Sequence, residues 1–323
     1  MGLTTGSSPS IFPEVLSTRN DRNRGPVNND ILLVEKAQRL VRGIATLPTI
    51  PAICLRVSTL LDSPTVDLQK VADLILSDQV LTARVVKIVN SPLFRPLHEI
   101  TSLRHALVYL GLRRINEIVL SCSLIQAFED GDAGFDLRTF WQHSFGVGII
   151  AGKMAQLLAY PEREKVYVYG LLHNIGKVFL CSYLKPEWAR IIRLVEEKGC
   201  TFLDAEIKTM GTTHCEIGLC LARQWNFPEE YCHVIAYHHA PANAPRNQLP
   251  VALVNLADIF YTTCLGMDED SGWTSSNLTE EPAWFVMRKS LPALDDFDPE
   301  RFAFELEEEM PGIRKLVNDL FMG

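Results

Sequence analysis

Helices are the only regular element this sequence predicts, and three observations say so. Apolar residues recur every three or four positions in segment after segment from residue 31 onward. Pro, Gly, Asp, Ser and Thr stand where helices would begin and end. Residues 31–130 contain no convincing apolar–polar alternation of the kind a half-buried strand shows.

Taken in order, residues 1–30 are rich in Ser, Thr, Asn, Pro and Arg without an apolar period, and read as a tail. Leu33, Ala37, Leu40, Val41 and Ile44 mark a first helix starting near Asn29 or Asp30. Pro48 and Pro51 break it and start a second, with Ile53, Val57, Leu60 and Leu61 inward. Asp67 caps a third carrying Leu68, Val71, Ala72 and Ile75. Ser77 or Asp78 caps a fourth, with Leu81, Val85, Ile88 and Val89 inward, ending at Asn90-Ser91-Pro92. Thr101-Ser102 opens a fifth that Gly111 closes, and Ile115, Ile118, Val119 and Cys122 mark a sixth.

The acidic, Gly-containing stretch Glu129 to Gly134 reads as a seam. Asp136 caps a long helix with Phe140, Trp141, His143, Val147 and Ile150. One continuous helix is expected from about Pro161 to Tyr183, and another between Pro186 and Gly199. Thr213 and Glu216 form a capping box that puts His214 in a first helical turn. Asn226-Phe227-Pro228 starts a helix ending at His238-His239, followed by a Pro-rich loop over 240–250. Leu253 to Tyr261 is an apolar helix containing Asp258. Beyond 265 a polar stretch leads to Trp284, Phe285 and an acidic helix from about Pro299 to Met310. The organisation expected is a tail (1–30), an N-terminal helical half (31–130), a second helical half (131–265) and a helical extension (266–323).

A chain of 323 residues at 47% hydrophobic and 22% charged has the balance of an ordinary globular protein. Its net charge of -8 argues against a dominant nucleic-acid surface, so no DNA partner is expected. No apolar run is long enough to span a membrane, and the N-terminus lacks the apolar core of a signal peptide. Met1-Gly2 is followed by Gly6 where a myristoylation signal wants Ser or Thr. The eight cysteines include no CxxC pair and read as buried, reduced thiols of a cytoplasmic protein.

The chemistry-bearing residues gather around Gly170 to Lys177. His143, His173, His214, His238 and His239 account for five of the eight histidines and sit in or at the ends of apolar helices, with Asp258 in a later one. Such a set is either a metal site or a buried polar cluster bonding within itself. Residue 174 is Asn where a metal-bridging carboxylate would be expected. Trp141 and Trp225 read as core.

The ordered series of segments resembles a known family. Its members are Leu47–Pro51, Leu81–Ser91, Ile100-Thr101-Ser102 with Leu110-Gly111, Trp141–Ser144, Leu171–Lys177, His214–Gly218, Trp225–Pro228 and His238-His239. The second half resembles the HD superfamily of metal-dependent phosphohydrolases. The two halves together, over roughly residues 40 to 262, resemble the HDOD family, the HD-related output domains of bacterial signalling. The resemblance implies an all-α fold, an HD-like bundle preceded by a compact N-terminal helical subdomain. It places the metal-ligand pattern on His143, His173, Asn174, His214, His238, His239 and Asp258, for iron, zinc or manganese. It also puts Lys177 within reach of a phosphate oxygen. Asn174 departs from the active pattern, bringing no charge to the bridging position. Ala240 to Ala244 lacks the Gly-Tyr-Pro signature of the cyclic-di-GMP phosphodiesterase branch. The function implied is a cytoplasmic bacterial signalling module, catalytically degenerate and acting through a protein partner. The alternatives are a metal-dependent phosphohydrolase acting on a nucleotide or other phosphate ester, or a sensor with a nucleotide ligand.

Overall fold

The protein is seen here as a computed structural model that describes residues 28–44, 56–57, 60, 67–90, 94, 96–129, 137–264, 275–308 and 310–321. The tail up to residue 27, the breaks at Pro48 and Pro51, the seam after Glu129, the Asp136 cap and the polar stretch from 265 to 274 lie outside the described residues. Among the described residues there are fifteen α-helices, three 3-10 helices and no strand. The all-α expectation therefore holds.

The N-terminal half forms α1 (Asn28–Arg42), α2 (Leu68–Leu76), α3 (Gln79–Val89) and α4 (Leu103–Glu129). The expected caps are present. Asp67 accepts from the amides of Gln69 and Lys70, and Asp78 from that of Leu81. Asn90 ends α3 and clamps the returning chain, donating to Ile100 O and accepting from Ile100 N, both at 2.8 Å. Gly111 interrupts α4 at φ 79, ψ 166, a conformation that glycine supplies, so the fifth and sixth expected helices meet there in one kinked rod.

The second half holds α5 (Leu137–Leu157), α6 (Arg163–Leu172), α7 (Ile175–Tyr183), α8 (Lys185–Lys198), α9 (Phe202–Met210), α10 (His214–Gln224), α11 (Glu229–Tyr237) and α12 (Gln248–Cys264). The extension adds α13 (Pro282–Arg288), α14 (Pro299–Glu307) and α15 (Met310–Phe321). The helix expected to run unbroken from Pro161 to Tyr183 is in fact two. His173 and Asn174 lie between them, and Asn174 leaves helical geometry at φ -101, ψ 18. Helix α9 and the C-terminal α15 had no expectation.

One apolar core runs through both halves, with Trp141, Phe140, Phe145, Phe179 and Phe260 fully buried. Helices α5 and α6 pack backbone against backbone, since a Cβ on Gly170 would lie 2.6 Å from Gly148 Cα. Helix α1 packs on α10, where Thr212 Oγ1 donates to Leu33 O at 2.8 Å. Helix α15 packs on α5, where Gln142 Nε2 donates to Asn318 Oδ1 at 3.2 Å. No described helix is long and apolar enough to cross a membrane.

Candidate metal centre

All the histidines expected at the site, with Asp258, converge. His143 comes from the first half of α5, and His173 and Asn174 from the break between α6 and α7. His214 opens α10, His238 and His239 follow α11, and Asp258 lies on α12. They form two adjoining groups. In the first, His143 Nε2 is 3.1 Å from Asp258 Oδ1 and 3.4 Å from His173 Nε2, and His173 Nε2 is 3.8 Å from the same oxygen. In the second, His214 Nε2 is 3.4 Å from His238 Nε2 and 3.3 Å from His239 Nε2. The rings of His173 and His238 meet edge to face with centroids 5.0 Å apart, so the groups touch.

The chain fixes which nitrogen faces inward. His173 Nδ1 lies 2.5 Å from Gly170 O and His238 Nδ1 lies 2.9 Å from Ile235 O, so each carries the proton it donates. His214 Nδ1 lies 2.9 Å from Oε2 of the buried Glu206 carboxyl, so Nδ1 is held away from the centre and Nε2 toward it. With the proton assigned to Nδ1, the Nε2 of His173 and that of His238 each present a lone pair. His214 Nε2 faces the His238 lone pair at 3.4 Å. A further acceptor, Asn174 Oδ1, is buried without a hydrogen bond, and Asp258 Oδ1 is met only by the His143 ring at 3.1 Å. Converging ring nitrogens beside a carboxylate and an orphaned amide oxygen are costly unless a cation lies among them. The donor set therefore fits a divalent metal, which neutral imidazole and carboxylate bind well.

Charge follows the same logic. Burial drives His173 down to about 3, against the pull of Asp258. Burial also holds His214 and His238 well below the ordinary histidine value, with Lys177 and, for His238, the neighbouring histidines adding to it. All three are neutral imidazoles near pH 7, the form that coordinates. For Asp258, burial pushes upward, but the His143 hydrogen bond and the nearby histidines outweigh it and keep the group a carboxylate.

Asn174 stands at the first group. Its Nδ2 is 2.6 Å from His173 Nε2 and 3.4 Å from His143 Nε2. In this orientation the amide donates to the His173 lone pair. The opposite orientation of the same planar amide would offer its oxygen instead. Lys177, expected near a phosphate, is buried with its Nζ 5.0 Å from the centroid of the Phe202 ring on α9. Its charge lowers His173 in the first group as well as His214, His238 and the Glu206 carboxyl, so it acts on both groups.

A profile of the HDOD domain matches residues 47–241, more than half of the chain. The chain belongs to the HDOD domain family. A crystal structure of an HDOD domain protein of unknown function from Geobacter sulfurreducens is 37% identical, with a TM-score of 0.81, and covers 91% of this chain and 100% of that one. A candidate phosphohydrolase from Shewanella amazonensis SB2B shares the fold at 22% identity and a TM-score of 0.70, covering 88% of this chain and 98% of that one. An uncharacterized protein of Treponema pallidum (strain Nichols) is 25% identical over 255 residues, covering 76% of this chain and 48% of that one. The HDOD chain thus spans about half the length of that curated relative. The HDOD match includes every histidine of the centre and ends before Asp258.

Glu206 is the residue contacting the centre of this HDOD chain that sequence reasoning missed. It is fully buried, accepts from both the backbone N (3.1 Å) and Nδ1 of His214, and burial pushes its carboxyl up to about 8. The available signal was a charged residue on the inward stripe of α9, next to Ala205. A carboxylate behind a metal-facing histidine orients the ring and raises its basicity, and removing it typically costs 10–100-fold in affinity. Glu206→Gln is therefore expected to weaken metal binding at His214 by about 10–100-fold in calorimetric titration. An unchanged affinity would mean that His214 does not act as a ligand.

Proposed function

We propose that this HDOD chain is a signalling or regulatory module whose centre holds a divalent metal but has lost hydrolytic competence, and that it acts through a protein partner. One observation carries the reading. The side chain beside His143 and His173 at the bridging position is the amide of Asn174, with no charge to share between two ions and no capacity to take a proton. His143, His173 and Asp258 would hold one ion, and His214, His238 and His239 a second, from iron, zinc or manganese. A bound ion of this kind supplies Lewis acidity and a more acidic water. What the chain itself supplies is orientation: Gly170 O, Ile235 O and Glu206 hold the rings, and the neighbouring core excludes water from His173, His214 and His238. The division into tail, N-terminal half, HD-like half and extension is part of the same proposal, with the outer segments offering partner surfaces.

A second reading, hydrolysis of a nucleotide or other phosphate ester, draws on the buried cation of Lys177 near the second group, a charge suited to a phosphate oxygen. The experiment that separates them has two parts. Protein purified without added metal or chelator is expected to carry iron, zinc or manganese that is lost in Asp258→Ala and His173→Ala. The same protein, given Mn²⁺ or Fe²⁺, is expected to leave a panel of nucleotides and phosphodiesters intact. Turnover abolished by His173→Ala would overturn the degenerate reading; absence of metal in the wild type would overturn the metal centre.

A further inference from the structure

Cys215 follows His214 in the first turn of α10 and is 5% exposed. Its amide N donates to the capping Thr213 Oγ1 at 3.2 Å, and its Sγ lies 3.6 Å from His214 Nε2. The Sγ and the ring nitrogens of His214, His238 and His239 all fall within 4.8 Å of one another.

The spacing decides what such a set can hold. A tetrahedral ion bonded to imidazole nitrogen at about 2.0–2.1 Å and to thiolate at about 2.3 Å sets nitrogen pairs about 3.3–3.4 Å apart and nitrogen–sulfur pairs about 3.6 Å apart. His214–His238 is 3.4 Å, His214–His239 is 3.3 Å and His214–Cys215 is 3.6 Å. The three edges from His214 Nε2 match what their own donor atoms require, and the other three lie within 4.8 Å.

We infer that His214, Cys215, His238 and His239 form a closed four-ligand shell for a thiophilic divalent ion, zinc or ferrous iron. This deepens, and rests on, the reading of the cluster as a metal centre. The shell differs in kind from that of His143, His173 and Asp258, which has an oxygen donor and only three ligands. Four protein ligands leave no place for a substrate or an activated water, the mark of a structural rather than a catalytic site. On binding, the Cys215 S–H bond breaks heterolytically, the proton leaves to solvent and the sulfur lone pair forms the bond to the ion, with no change in oxidation state.

The test uses the full chain freed of metal with a chelator and loaded with Co²⁺ as the probe. The expected result is a strong thiolate-to-cobalt charge-transfer band in the near ultraviolet with intense tetrahedral bands in the visible. Cys215→Ser, with its fold checked by circular dichroism, is expected to lose the charge-transfer band and bind cobalt more than about tenfold more weakly. Bound cobalt without a thiolate band in the wild type, or a band that survives in Cys215→Ser, would overturn the four-ligand shell while leaving the metal centre standing. No cobalt binding at all would remove both.

Discussion

Gly176→Ala is expected to unseat His214 and to destabilise the whole fold, while Gly152→Ala changes neither. A Cβ on Gly176 would sit 1.9 Å from His214 O and 2.9 Å from Gly218 N. Both are backbone atoms, so no side chain can swing aside. Helices α7 and α10 would have to separate, carrying His214 away from His238 and from Glu206. Overpacking a core typically costs about 1–3 kcal/mol, and a backbone obstacle puts this site at about 3 kcal/mol or more. At Gly152 the same added carbon meets only Tyr167 Cβ at 3.7 Å, an ordinary contact. Urea unfolding and metal content of the two variants check this together. A Gly176→Ala protein with wild-type stability and full metal loading would show that α7 and α10 are not in the register described.

Asn174→Asp is expected to have opposite effects with and without metal. Without metal, a second carboxylate beside the Asp258 group adds a buried like charge, and the melting temperature falls. With metal, a unit negative charge about 2.1 Å from a cation is worth about 8 kcal/mol per unit of cation charge at an effective dielectric of 20. Desolvating the carboxylate offsets most of this, and a net gain of about 2.8 kcal/mol, or about a hundredfold in affinity, is the expected remainder. Titration with Mn²⁺ and melting curves with and without chelator read both effects. Equal Mn²⁺ affinity in the two proteins would mean that residue 174 does not face the ion. Phosphodiester turnover gained by the variant would show that this one amide accounts for the lost hydrolysis.

The helical fold was legible because its signals are local: a 3.6-residue period and side-chain caps such as Asp67, Asp78 and Thr213. The break at His173-Asn174 was not, because Leu171, Leu172 and Ile175 keep the spacing of an unbroken helix. What opens the chain there is tertiary: Gly170 held against Gly148, and Gly176 against His214. The histidines could be found from a family pattern, but Glu206 and Cys215 could not. A glutamate on a short helix looks solvated until His214 is seen against it, and Cys215 becomes a candidate ligand only when α11 brings His238 and His239 across. Pairing between distant segments was the missing information in both cases.

Both described ends of the chain bear on the centre. Helix α1 leans on α10, the rod that carries His214, through the Thr212–Leu33 hydrogen bond. Helix α15 leans on α5, the rod that carries His143, through Gln142 and Asn318. The two ends therefore act as separate buttresses, each one helix away from a different group of ligands. Mechanical load applied at α1 reaches the histidine–cysteine group first, and load at α15 reaches the group with the carboxylate. A partner gripping one end and a metal entering at the other side of the bundle would thus oppose or assist each other through rigid rods rather than through any shared surface.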